Sequence, residues 1–106
     1  MAAAPFFFQI LLAGWEGLPF EVARRSIIIE VFPNPVSGGE PPGDKAKTER
    51  EFAEATARRI AKEMIQGEFG SASERDDSIA QIGSLPEEIR DQPPTLQKGS
   101  VRVWWL

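Results

Sequence analysis

The chain has 106 residues, 16 acidic and 12 basic side chains and a formal net charge of -4, with no cysteine, histidine or tyrosine. Disulfides, thiolate nucleophiles, zinc–thiolate and cysteine-ligated iron–sulfur sites are excluded, as are imidazole bases, Ser-His-Asp triads and phenolic acids. The length fits one domain spanning 1–106, large enough to bury roughly 65% of its unfolded surface around a single core. Met1 to Trp15 lacks a basic n-region and is cut short by Glu16. Neither a signal peptide nor a membrane helix is expected, which leaves the cytoplasm as the default location.

Phe6 to Ala13 (FFFQILLA) is apolar on both strand faces, the pattern of a strand covered on both sides. Gly14, Gly17 and Pro19 mark a loop after it. Phe20 to Phe32 is read as the second arm of a hairpin, rich in β-branched residues at Ile27-Ile28-Ile29. A helical turn through Glu21 to Arg25, started by Pro19, is the competing reading. A loop centred near Glu16 places Leu12 opposite Phe20 or Glu21, Phe8 opposite Arg24 or Arg25, and Phe6 near Ser26 or Ile27. Ile28 to Phe32 then lack a partner and form an association-prone edge.

Pro33 to Lys47 contains seven Pro or Gly residues in 15, which predicts a flexible loop at 33–47 without regular structure. Thr48 and Glu51 make a capping box, and Gly67 supplies a helix stop. Between them Phe52, Ala53, Thr56, Ala57, Ile60, Ala61 and Met64 form one apolar face. Glu54–Arg58 and Arg59–Glu63 are i,i+4 pairs. Ile79 to Ile82 predicts a short strand, and Ser84 with Pro86 and Glu87 a short helix through Arg90. Pro93 and Pro94 predict an extended linker, and Val101 to Leu106 a final strand, the natural partner for the open end of the second segment. The order β–β–α–short β–short α–β describes an α+β fold: a largely antiparallel β-sheet with one long amphipathic helix packed on it.

Few residues suggest chemistry. Glu74, Asp76 and Asp77 lack EF-hand spacing and read as a solvated acidic loop. Glu87 and Glu88 suit a helix start. Glu16 beside Trp15 has no definite second carboxylate for acid–base work. The acidic balance argues against nucleic-acid binding by Arg24, Arg25, Arg58, Arg59 and Lys62. No catalytic, metal or cofactor residues are assigned. Adjacent strand residues point to opposite faces, so Trp104 and Trp105, like Phe7 and its neighbours, require cover on both sides of the sheet. One helix covers only one side. The expectation is a non-enzymatic protein-protein interaction module, an adaptor or small acidic inhibitor of the kind encoded by viruses or mobile elements. It would bind a protein partner or itself, as a homodimer, through a sheet edge or aromatic sheet face. The candidate partner-binding residues are Phe7, Trp15, Ile28, Val31, Phe32, Trp104 and Trp105. A structural subunit of a larger assembly is the alternative, and a carboxylate- or metal-dependent enzyme the third.

Overall fold

The computed structural model describes residues 4–33, 42–70, 73 and 78–106, with the backbone alone described over 42–48. Five antiparallel strands form one sheet in the order β3-β1-β2-β5-β4. They are β1 (Phe6–Leu11), β2 (Ser26–Val31), β3 (Ile79–Gln81), β4 (Leu96–Lys98) and β5 (Val101–Trp105). The short helix α1 (Phe20–Ala23) and the long helix α2 (Pro42–Phe69) complete the regular structure, with 3-10 turns at Leu12–Gly14 and Glu87–Ile89. This is the expected α+β architecture, with one long helix on an antiparallel sheet.

β2 lies at the centre. It pairs with β1 from Phe6↔Val31 to Leu11↔Ser26, and with β5 from Ile27↔Trp105 to Val31↔Val101. The C-terminal strand therefore takes the expected place beside the second segment. The expected hairpin register is wrong: Phe8 faces Ile29, not Arg24 or Arg25. The cause lies in the connection. Leu12–Gly14 turns, and Pro19 then starts α1, so residues 12–25 cross between the strands instead of extending them. Proline fixes φ near the helical value and needs no intrahelical N–H partner at a helix start, so the helical reading of this segment prevails. Ile28 and Val31 consequently lie between two neighbours, not on an open edge.

Side chains alternate across the sheet. Phe8, Ile10, Ile27, Ile29, Val31, Val101 and Val103 point to the α2 side and join Ala53, Ala57, Ile60, Ala61 and Ile65 in the main core. Alanines at 53, 57 and 61 recur at i+4 on one helix face and let the backbone approach the sheet, while Ile60 and Ile65 fill its flanks. Phe52 departs from the expected stripe and is 70% exposed. One residue before Ala53, it is turned by roughly 100° from the alanine row. α2 also starts earlier than expected, at Pro42, so Thr48 lies within the helix and is not its cap. Proline is compatible with a first helical turn, and Gly43 is the weakest helix former among the residues between it and Thr48. The helix passes Gly67 and ends before Gly70, whose φ of 87° satisfies the left-handed stop. Both predicted i,i+4 ion pairs form, Arg58–Glu54 at 3.9 Å and Arg59–Glu63 at 3.2 Å.

β4 is an addition to the expected elements. Lys98↔Val101 closes a two-residue hairpin over Gly99-Ser100, with Gly99 at φ 58°. Positive φ at the first turn position is the requirement that glycine meets. The expected helix after Ser84 reduces to the 3-10 turn Glu87–Ile89, with Pro86 rather than Ser84 at its N-cap position. The loop predicted at 33–47 is wrong over 42–47, which belong to α2, while residues 34–41 and the acidic residues Glu74, Asp76 and Asp77 lie outside the described residues.

The core assignment separates two substitutions in chemical denaturation. Ile29→Ala should cost about 2–5 kcal/mol, because it opens a cavity between β1, β5 and α2. Phe52→Ala should stay within about 0.5 kcal/mol of the parent, since its ring is exposed. Equal losses would show that the helix buries a different face.

Candidate protein-interaction face

The face of the sheet opposite α2 carries Phe7, Gln9 and Leu11 from β1, Ser26, Ile28 and Glu30 from β2, and Arg102 and Trp104 from β5, by alternation from the core-facing residues. Part of it is covered by the chain itself. Ile89 packs with Ile28 and Trp104 in a second small core, joined by Ile82, Leu85 and Leu106. The segment from Ile82 to Gln92 acts as a strap across β2 and β5. Its closure is polar as well as apolar, because the Trp104 Nε1–H donates to the Gln92 carbonyl at 3.0 Å. The buried indole N–H thus has the partner that its desolvation requires.

A charged pair occupies the next row. Glu30 is buried, at 4% exposure, and sits directly across from Arg102. The Arg102 Nε–H donates to Glu30 Oε1. The guanidinium also lies 5.2 Å from the Phe32 ring centroid and 5.8 Å from that of Trp104. A carboxylate this deep would be costly alone, so its pairing with Arg102 is a requirement of the fold. The arginine side chain keeps 37% exposure. Nearby, the Gln9 Nε2–H donates to Ser26 Oγ at 3.0 Å, satisfying another polar pair between β1 and β2.

The candidate residues therefore divide into two groups. Trp15, Ile28, Val31 and Trp104 are buried within this chain. Ile28 and Trp104 meet the strap, while Trp15 and Val31 belong to the α2-side core. The Trp15 Nε1–H is buried without a partner among the described residues. Phe7, Phe32 and Trp105 are half-buried. Trp105 packs against the α2-side core with Arg25 over its ring at 4.7 Å, far in register from Phe32. Phe7 and Phe32 belong to neither packed cluster and flank the Glu30–Arg102 row.

The sequence reasoning missed Glu30 and Arg102. Their signal is a single glutamate inside the apolar run Ile27–Phe32 and a single arginine inside Val101–Leu106, a charge in a buried run requiring an opposite one. It also treated Glu16 as a possible acid; its carboxylate is exposed and its backbone exchanges hydrogen bonds with Ser73, each at 3.1 Å. Among the described residues no helix is long and apolar enough to cross a membrane. Phe32 and Val31 also border an open groove of about 370 Å³ with Pro33, Phe52, Ala53 and Ser100.

The ion pair predicts a specific asymmetry in unfolding experiments. Arg102→Ala leaves Glu30 buried without a cation and should cost about 3 kcal/mol, while replacing Glu30 and Arg102 together by Met should return stability to within about 1 kcal/mol of the parent. A double variant as unstable as the single one would contradict this role.

Comparison with protein-family models, curated proteins and solved structures found no match.

Proposed function

We propose that this chain is a non-enzymatic protein-interaction module that docks through the uncovered margin of its second sheet face, with a second copy as its first partner. The observation that carries the reading is the position of Phe7 and Phe32. Both are half-buried aromatics outside either packed cluster, and they flank a charged pair held in place by the sheet. Aromatic residues and arginine are enriched in the cores of protein interfaces, where a rigid side chain buries area at little entropic cost.

The face is favoured over the edges. The outer strands β3 and β4 have three residues each. Strands this short offer few unpaired backbone groups, which is a common means of preventing edge-to-edge addition. A discrete dimer or complex suits an adaptor or inhibitor, whereas a repeating assembly would mark a structural subunit.

Light scattering from micromolar to millimolar concentration tests the reading. The parent should form a concentration-dependent dimer, and Phe7→Asp with Phe32→Asp should weaken it by about tenfold or more while circular dichroism stays unchanged. A parent that remains monomeric throughout would reject self-association. A dimer untouched by both substitutions would reject this face.

A further inference from the structure

The crossing between β1 and β2 carries a second patch, at the opposite end of β2 from Phe32 and Arg102. Arg24 follows α1, and its guanidinium lies 5.8 Å from the centroid of the Phe20 ring. The Arg25 guanidinium lies 4.7 Å from the centroid of Trp105. Both arginines are exposed, and Phe20 at 75% is the most exposed large apolar residue among those described. Neither guanidinium has a carboxylate or side-chain hydrogen-bond partner among the described residues. The carboxylates nearest in sequence, Glu16 and Glu21, are exposed and pair with neither.

This arrangement has a chemical consequence. A guanidinium resting on a ring uses its π face and leaves its in-plane N–H groups directed outward. The ring restrains the side chain beforehand, so less freedom is lost when an anion arrives. The planar fork matches a carboxylate, and forks on two consecutive residues, one of them on an exposed phenyl ring, match a short segment that presents carboxylates and an apolar side chain together.

We propose that Arg24, Arg25 and Phe20 receive an acidic, apolar-containing segment of another protein, with carboxylates on the two guanidinium groups and an apolar residue on the Phe20 ring. Charge complementarity selects this occupant. A nucleic acid would draw on a longer track of phosphate contacts than two adjacent arginines provide. The patch is separate from the Phe7–Phe32 margin, so its test bears on it alone.

A blocked hexapeptide of Leu-Phe flanked by glutamates serves as the probe. A lysine-for-glutamate version and an oligothymidylate of matched charge are the competitors, followed by NMR of the backbone amides. The acidic peptide should shift the amides of Phe20, Arg24, Arg25 and Trp105. The double variant Arg24→Gln, Arg25→Gln should keep the folded spectrum and bind the peptide about tenfold more weakly or worse. Unmoved amides, undiminished binding by the variant, or equal binding of the lysine peptide would overturn the proposal. Tighter binding of the oligothymidylate at the same amides would reassign the patch to nucleic acid and overturn it as well.

Discussion

Antiparallel sheets commonly leave one face to water, but β2, with neighbours on both edges, withdraws both of its faces from end to end. All six of its residues are buried. On one face Ile27, Ile29 and Val31 meet the alanine row of α2. On the other, Ile28 is sealed by Ile89 and Trp104, and Glu30 by its ion pair with Arg102. The two covers differ in kind: one is a long helix, the other a strap with a single 3-10 turn. The hydrophobic contribution of each side scales with the apolar area removed from water, so the helix side carries most of the stability.

Glu30 turns this apolar requirement into a register requirement. It faces Arg102 across the β2–β5 ladder. A slip of β5 by one residue would exchange its faces, sending Arg102 toward the helix-side core and leaving Glu30 beside a valine. A buried pair adds little net stability over an apolar replacement, but removing one member strands a charge. The sequence Ile27-Ile28-Ile29 could tolerate several alignments by hydrophobicity alone; the ion pair is satisfied in one of them.

Much of this was legible in the sequence because it follows from periodicity. α2, the strands at 6–11 and 101–105, and the place of the last strand beside β2 come from apolar patterning over several residues. The connection at 12–25 was not, because Pro19 permits both an extended arm and a helical turn, and burial decides between them only once β5 is in place. β4 has three residues, too few for a period, and its signal lay in Gly99-Ser100. The position of Phe52 required the helix rotation, which the alanines set by allowing close approach. At the candidate site Trp104 and Trp105 do find separate cover, as strand alternation requires, but the strap was legible only as scattered apolar residues at Ile82, Leu85 and Ile89. Phe7 and Phe32 are the part of the aromatic surplus that this cover leaves over, and the proposed interaction rests on them.

Hydrogen exchange at the Trp104 indole tests most directly whether one chain covers both faces of β2. In dilute solution its Nε1–H, bonded to the Gln92 carbonyl, should exchange as slowly as the Ile27–Ile29 backbone amides, through global unfolding. Fast exchange of the indole in the dilute protein, with protection gained only as concentration rises, would contradict the account and make the second face an interface that the strap does not close.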